Sequence, residues 1–184
     1  MAPAIEFVGV EKRFAARGKS AEVLAVRGVN FAIAPGEVVS IIGPSGCGKS
    51  TLLNMGAGLS KPSAGQVRVG GEAVTGPNKH VAFMLQKDLL MPWRTISENV
   101  QFGLELRGVA AVRRREVAER LLLRCHLQGF AQHYPNQLSG GMRQRAALAR
   151  TLAVDPLVLL MDEPFSALDA QTKMILQQDL ARTV

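Results

Sequence analysis

A glycine-rich run with one lysine and three hydroxyl residues is the strongest chemical signal in the 184-residue sequence. It matches the pattern G-x-x-x-x-G-K-[ST], and it follows an apolar run and precedes a helix-like segment, as that pattern requires. Backbone N–H groups of such a loop wrap phosphates, and we expect Lys49 to reach the β- and γ-phosphates, Ser50 to bind Mg²⁺ and Thr51 to contact the α-phosphate. Cys47 occupies a variable position, where only its backbone is expected to contribute. The run consists of Gly43, Pro44, Ser45, Gly46, Cys47, Gly48, Lys49, Ser50 and Thr51.

Two adjacent carboxylates, Asp162 and Glu163, follow an apolar run at residues 157–161. Ligands of a parallel sheet bind beyond the carboxyl ends of its strands, which is where both side chains would lie. Asp162 is suited to hold Mg²⁺ together with Ser50, and Glu163 is suited to act as a base or as an orienting group for an attacking water. An Asp-Glu-Pro sequence after a strand is also common turn chemistry. The glycine-rich run upstream favours the metal and base interpretation.

A second anion-binding pattern, LSGGMRQR, spans residues 138–145. Ser139, Gly140 and Gly141 open a basic, alanine-rich helical pattern. Backbone N–H groups and the positive end of a helix dipole would therefore face an anion here. Since the chain already carries one phosphate site, the most economical explanation is that the second site serves the nucleotide of another molecule.

The elements that must position these residues follow from hydrophobic periodicity. Alternation over residues 29–34 predicts a half-buried strand of an antiparallel layer, ended by a turn at Pro35 and Gly36. The β-branched run at residues 38–42 predicts a strand buried on both faces that ends at Gly43. Residues 66–74 predict a hairpin that turns at Gly70 and Gly71, and residues 81–85 and 157–161 predict further buried strands. Strands separated by helices indicate a mostly parallel sheet.

Between residues 88 and 155 the periodicity becomes helical, which predicts a helical subdomain, and a final helix is expected from Gln171 onward. The arginine run at residues 113–115 is typical of an exposed helix face. An apolar content of 47% is enough for one core. Two cysteines without a metal-ligand spacing fit free thiols in a reducing compartment.

Charge and hydropathy limit the location and the partners. The sequence has no apolar stretch of transmembrane length and no signal-peptide pattern at its start, so we expect a soluble, cytosolic chain. The net charge of +7 and the isoelectric point near 10.0 are compatible with nucleic acid, with an anionic membrane surface, or with a solvated face that favours nucleotides. Composition does not choose among these three.

Taken in chain order, the motifs resemble those of the ATP-binding cassette (ABC) ATPase family over nearly the whole chain. They are the glycine-rich run, Gln86 at a strand end, residues 138–141, residues 161–164 (MDEP) and residues 166–169 (SALD). The resemblance implies an α/β fold: a P-loop NTPase (RecA-like) core with an N-terminal antiparallel β layer and an inserted helical subdomain. Residues 1–87 would form the nucleotide-binding core with its β subdomain, residues 88–155 the helical subdomain, and residues 156–184 the return to the core.

The same resemblance implies roles for individual residues. Gln86 would contact the metal and the water and report nucleotide state to the helical subdomain. Ser139, Gly140 and Gly141 would cap the γ-phosphate held by the opposite subunit, and Asp169 would lie at the dimer seam. Phe14 matches the aromatic residue that stacks on adenine in this family, although an aromatic residue in an N-terminal strand can equally belong to the core.

Within the family, residues 84–93 and 99–108 are similar to importers of nitrate, sulfonate and taurine. This similarity implies ATP and Mg²⁺ as cofactors, a second ATPase subunit, a transmembrane permease and a separate substrate-binding protein, with no nucleic acid. The chain would lie peripherally on the cytoplasmic side of the inner membrane. Residues 89–93 would lie near the groove that receives a permease helix, or else belong to the core of the subdomain.

One motif of the family has no counterpart. ABC ATPases carry a switch histidine after the segment that contains Asp169, whereas His80, His126 and His133 all precede the Asp-Glu pair. We therefore expect a truncated chain. One alternative to the importer hypothesis is an ATP-binding fragment or degenerate subunit without efficient turnover. The other is a nucleotide-dependent, nucleic-acid-associated ABC protein. The short interval between the two glycine motifs argues against this second alternative.

Overall fold

The computed structural model describes residues 2–15, 22–164 and 173–174. The chain divides into two compact units. The first comprises Met1–Ala82 with Pro156–Asp162, and the second comprises Phe83–Asp155 with Glu163–Val184. Among the described residues, no helix has the length and hydropathy that crossing a membrane requires.

The first unit contains a four-stranded antiparallel sheet. Its strands are β1 (Ile5–Ala15), β2 (Glu22–Ile33), β3 (Ala64–Val69) and β4 (Glu72–Ala73), in the order β2-β1-β3-β4. The central strand pairs Ile5 with Ile33 on one side and with Val69 on the other. Phe7 stacks on Phe31 with ring centroids 4.7 Å apart. The predicted antiparallel layer is therefore confirmed.

The predicted hairpin is also confirmed. β3 and β4 pair Val69 with Glu72 around Gly70 and Gly71, whose φ angles are 58° and 85°. Two consecutive residues with positive φ form the tight turn that matches the twist of the flanking strands, and glycine adopts this conformation without steric cost.

Helix α1 (Lys49–Gly56) packs closely against the strands of the first unit. A Cβ atom added at Gly56 would lie 3.2–3.3 Å from side-chain atoms of Leu160, Ile5 and Phe7, so glycine permits this approach. Leu160 belongs to β6 (Val158–Met161), which forms a two-stranded sheet with β5 (Val81–Met84). β5 and β6 confirm the strands predicted at residues 81–85 and 157–161.

One strand prediction is wrong. Residues 38–42 have no strand assignment, and the side chains of Val38, Val39, Ile41 and Ile42 are 74%, 44%, 40% and 94% exposed. An apolar run becomes a buried strand only where neighbouring strands pair with its N–H and C=O groups and other elements cover its faces. Among the described residues, the two-stranded sheet contains β5 and β6 alone, so the run at 38–42 has no ladder partner there.

The second unit is helical, as the periodicity predicts. It contains α2 (Ile96–Leu106), α3 (Ala111–Arg124), a short 3-10 turn at Pro135–Gln137, and α4 (Gly140–Leu152). Its core contains Ile96, Val100, Leu122, Leu127, Ala146 and Ala149, each at most 1% exposed. α2 begins with a capping box between Thr95 and Glu98, which fixes its first turn. In the arginine run, Arg113 and Arg115 are exposed and Arg113 pairs with Glu116 at 3.0 Å, which confirms an exposed face.

Asn99 organises the chain that leads into α2. Its side chain is fully buried, and its Oδ1 accepts a hydrogen bond from the Met91 N–H at 2.8 Å. Its Nδ2 contacts the carbonyl oxygens of Met91, Arg94 and Thr95 at 3.1, 3.1 and 2.9 Å. One buried amide therefore replaces the water that residues 91–95 would otherwise need for their backbone groups.

Candidate functional site

The glycine-rich loop leads into α1 through a residue that must be glycine. Gly48 is the N-cap of α1, with φ of 98°, and a Cβ atom there would lie 2.6 Å from the backbone oxygen of Ala25. Gly48 offers no side chain to cap the helix, and no side-chain cap hydrogen bond is present within the described chain. The first N–H groups of an α-helix have no intrahelical acceptor. Those of Lys49, Ser50 and Thr51 are therefore available to an anion.

The Lys49 ammonium group folds back over its own loop. Its Nζ donates hydrogen bonds to the carbonyl oxygens of Gly43 at 2.8 Å and Pro44 at 2.9 Å, and it lies 4.0 Å from the Cys47 Sγ. Residues 43–47 are exposed, so solvent reaches the loop. An anion with charged oxygens forms stronger hydrogen bonds to an ammonium group than neutral carbonyls do. The loop thus holds a cation that a phosphate could redirect.

Two of the predicted site residues meet although 77 positions separate them in the chain. The Nε2 of Gln86 donates to the Oε2 of Glu163 at 3.3 Å. Glu163 is exposed and has a φ of 47°, a left-handed conformation that costs a non-glycine residue about 1–2 kcal/mol. Strained backbone of this kind concentrates at functional sites. The pair is the clearest chemical constellation of the second unit.

The three predicted metal ligands divide between the two units. Ser50, in the first turn of α1, and Asp162, directly after β6, belong to the first unit, and Gln86 belongs to the second. Their hydroxyl, carboxylate and amide oxygens are the hard ligands that Mg²⁺ prefers. In the part of the chain that the structure describes, no group of three or more His, Cys, Asp or Glu side chains could hold a metal.

The second glycine motif begins α4, where the sequence places a helix start. Ser139 is the N-cap, and its side chain accepts a hydrogen bond from the Met142 N–H at 3.3 Å. Leu138, one residue earlier, is buried and anchors the turn, while Ser139 and Gly140 are exposed. The motif therefore presents a helix N-terminus on the surface. Residues 166–169 of the predicted dimer seam, and the helix expected from Gln171 onward, lie outside the described residues, apart from residues 173–174.

Two aromatic residues with alternative interpretations are exposed. Phe14 is 46% exposed in β1, with the Lys12 Nζ 5.2 Å from its ring centroid, so the core interpretation is wrong for this residue. Trp93 is 74% exposed and Leu89 is 56% exposed, whereas Leu90 is 8% exposed. The segment at residues 89–93 thus presents two large side chains to solvent and buries one.

The exposed Trp93 lies at the edge of a polar cavity in the second unit. The cavity has a volume of about 540 Å³ and is lined from α2, α3 and the chain around residue 131. Arg94 donates to Glu105 at 2.6 Å across it, and this hydrogen bond holds the pKa of Glu105 below its ordinary value. The guanidinium of Arg94 also lies 5.0 Å from the ring centroid of Phe102.

Several polar residues that organise this unit are not among the predicted site residues. Asn99, Gln144 and Arg150 each bind backbone carbonyls of the chain between Gln86 and α2. A polar amide on the face of a helical pattern that otherwise carries apolar or alanine residues is the signal that could have identified Asn99 and Gln144. Arg150, in a basic helix, has no comparable signal.

Comparison with known proteins supplies the family. A model of the ABC transporter family matches residues 26–166. An uncharacterized ABC transporter ATP-binding protein of Methanocaldococcus jannaschii is 49% identical over 160 residues, which is 87% of this chain. The taurine import ATP-binding protein TauB of Yersinia pestis is 49% identical over 154 residues, which is 84% of this chain. This chain spans 60% of the length of each of these two relatives.

Among solved structures, the dimeric ATP-binding cassette MJ0796 in a post-hydrolysis state with ADP and Pi is similar, with a TM-score of 0.86 and 36% identity. The match covers 96% of this chain and 81% of that one. It confirms the predicted fold class, a P-loop NTPase core with an antiparallel β layer and a helical subdomain. With the exposed glycine loop, the Gln86–Glu163 pair and the second glycine motif at the start of α4, the chain belongs to the ABC transporter family, as an ATP-binding domain.

Proposed function

We propose that this chain binds and hydrolyses ATP as the ATPase subunit of an ABC importer. The observation that carries the proposal is the exposed loop at residues 43–51. It combines the uncapped N-terminus of α1 with the Lys49 ammonium group. Backbone N–H groups, a helix dipole and one cation together form the standard means of holding a triphosphate.

The residues present fit ATP and Mg²⁺. Bound ATP–Mg²⁺ supplies a transferable γ-phosphoryl group and a metal that neutralises the charge developing on it. Lys49 exchanges the carbonyl oxygens of Gly43 and Pro44 for phosphate oxygens. Ser50 and Asp162 offer the metal oxygen ligands, and the exposed ring of Phe14, which the Lys12 Nζ approaches at 5.2 Å, offers a surface for stacking on adenine.

Glu163 and Gln86 have different roles in the attack of water on the phosphate. The Glu163 carboxylate accepts the water proton or orients the water towards the phosphorus. Because the Nε2 of Gln86 donates to Glu163, the amide oxygen of Gln86 remains as the atom that can face the metal. The hydrogen bond thus directs the amide nitrogen of Gln86 to Glu163 and leaves its amide oxygen for the metal.

The complete site needs a second copy. Ser139, Gly140 and Gly141 present the N-terminus of α4 to solvent, and we propose that they cap the γ-phosphate held by the opposite subunit of a homodimer. The dimeric structure of the similar cassette MJ0796 with ADP and Pi supports this assembly. Asp169 would lie at the seam between the copies.

The proposed cargo is a small oxyanion or organosulfur compound, such as nitrate, a sulfonate or taurine. The support is the 49% identity to a taurine import ATP-binding protein and the sequences at residues 84–93 and 99–108. The chain would act at the cytoplasmic face of the inner membrane, with a permease contacting the exposed Leu89 and Trp93 and a separate binding protein selecting the cargo.

Nucleotide binding and steady-state turnover by the purified chain test the proposal. Lys49→Ala should weaken ATP binding, because it removes the only cation of the loop. Glu163→Gln should retain ATP, lose turnover and form a long-lived dimer. Unchanged turnover in Glu163→Gln would show that Glu163 does not act on the attacking water, and binding without turnover in the unmodified chain would favour the non-hydrolysing alternative. Salt-sensitive binding of DNA or RNA would favour the nucleic-acid alternative.

Mixed dimers test the shared site. Ser139→Arg in one copy places a bulky cation at the start of α4 and should disable the ATP site of the other copy. Dimers in which activity is lost only at the mutated copy's own glycine loop would contradict a shared site.

A further inference from the structure

Side chains of helix α4 form hydrogen bonds to the short stretch of chain that carries Gln86. We name residues 86–89 the Gln86 segment. Three side chains of α4 hydrogen-bond to it, although 55 to 62 positions separate the partners in sequence. They are Arg143, Gln144 and Arg150. Since all these residues belong to the second unit, the contacts form a single structural feature of that unit.

The contact made by Gln144 is the most direct. Its Nε2 donates to the backbone oxygen of Gln86 at 2.8 Å, and the residue is 5% exposed. Its Oε1 is buried without a hydrogen-bond partner within the described part of the chain. Burying an acceptor without a hydrogen-bond partner carries a desolvation cost. An apolar side chain of the same length would fill this place without that cost, so packing alone does not explain a glutamine here.

Asp88 and Leu89 are held by the two arginines. The Arg143 Nε pairs with the Asp88 Oδ2 at 3.0 Å. Arg150 donates to the backbone oxygens of Asp88 at 2.6 Å and Leu89 at 2.7 Å. Burial lowers the pKa of Arg150 and the Asp88 carboxylate opposes that shift, while a guanidinium remains protonated in either case. Leu89 adopts a φ of 44°, a conformation that such contacts must hold in place.

We propose that Gln144 is a positioning residue for the reaction, which fixes the Gln86 backbone so that the Gln86 side chain meets Glu163. The proposal rests on the function proposed above. Gln144 lies five residues after Ser139, about 7.5 Å along the helix axis. A nucleotide of the opposite subunit that meets the start of α4 therefore acts on a rigid element whose next turns hold Gln86. Helix α4 therefore couples two events. One is the capping of the nucleotide held by the opposite subunit, and the other is the activation of water by Glu163 of its own subunit.

Kinetics separate positioning from packing. Gln144→Met keeps the side-chain length and removes both the donor and the orphaned acceptor. We expect kcat to fall about tenfold to a hundredfold, since misplacing a group that acts at the reacting centre has effects of this size. KM for ATP should change less than about threefold, because the glycine loop is untouched. Thr151→Val is the matched control: it removes a buried hydrogen bond of α4, to the Ala147 oxygen, that does not reach the Gln86 segment.

Hydrogen exchange without nucleotide gives a second measurement that needs no activity. In Gln144→Met, amides of residues 86–91 should exchange faster than in the unmodified chain, and in Thr151→Val they should not. If the unmodified chain fails to turn over ATP, the proposed function fails, while the exchange result still decides whether Gln144 holds the Gln86 segment. Unchanged exchange in Gln144→Met, or equal losses of kcat in both variants, would overturn the proposal.

Arg150→Lys provides an independent variant should Gln144→Met not fold. It keeps the charge but loses the planar pair of donors that reaches two carbonyls. Faster exchange at residues 86–91 with unchanged KM for ATP is expected. Slow exchange with full turnover would contradict a positioning role for α4.

Discussion

Removal of the Asn99 side chain should destabilise the second unit by about 4 kcal/mol. In Asn99→Ala, two carbonyl oxygens still accept a backbone hydrogen bond. The Thr95 oxygen accepts one from the N–H of residue 99 at 2.9 Å, and the Met91 oxygen accepts one from the Arg94 N–H at 3.2 Å. Four backbone groups lose the Asn99 side chain, and two of them, the Met91 N–H and the Arg94 oxygen, have no other hydrogen-bond partner within the described part of the chain. Both groups face the fully buried Asn99 amide, where an unsatisfied group costs about 1–3 kcal/mol, so the pair gives about 2–6 kcal/mol, with about 4 at its centre.

Urea unfolding measures this effect, and Trp93 reports it locally. Trp93 is the single tryptophan of the chain and lies in the second unit, two residues from Met91. With a slope of about 2 kcal/mol per molar urea, the midpoint should fall by about 2 M. Asn136→Ala removes an exposed amide from the same unit and should change stability by less than about 0.5 kcal/mol. Equal midpoints for the two variants would refute the role assigned to Asn99.

A near-isosteric change sharpens the test. In Asn99→Asp, one oxygen can still accept from the Met91 N–H, but the other faces the carbonyl oxygens of Met91, Arg94 and Thr95. Burial and these carbonyls favour the neutral acid, so its folded pKa is raised above the unfolded value. The folded state then binds the proton more tightly, and stability is retained below the unfolded pKa and lost as pH rises through the folded one. Destabilisation that does not grow with pH would contradict this geometry.

Two further substitutions test local features. The hydrogen bond from Arg94 holds the pKa of Glu105 below its ordinary value of 4.5, so this pair contributes stability above that pH, and the contribution is lost as pH falls through the folded pKa. Glu105→Gln should therefore lower the urea midpoint near neutral pH and leave it unchanged in acid; an equal loss at both would contradict the ion pair. Ser139→Ala removes the N-cap of α4 and should cost about 1 kcal/mol in urea unfolding, with Ser139→Gly costing only a few tenths. Indistinguishable midpoints for Ser139→Ala and the unmodified chain would show that the cap at 3.3 Å is not stabilising.

Local chemistry made much of this protein predictable. The glycine at position 48 must accommodate a positive φ and the close approach of the Ala25 backbone, and the serine at position 139 must cap a helix. The residue types of both motifs therefore predict their local conformation. The hairpin at Gly70 and Gly71 follows from the same local rule. Such features depend on a few neighbouring residues, which is why periodicity and turn chemistry identify them.

The partners of distant residues were decided by tertiary structure. Nothing near Gln86 in the sequence indicates that Gln144 would hold its carbonyl or that Glu163 would accept its amide, 58 and 77 positions away. The run at residues 38–42 shows the converse, since its apolar pattern predicts a buried strand that the structure does not form. Hydrophobic periodicity records which side chains prefer burial. It does not record which surface covers them, because pairing and packing depend on the arrangement of elements far apart in the chain.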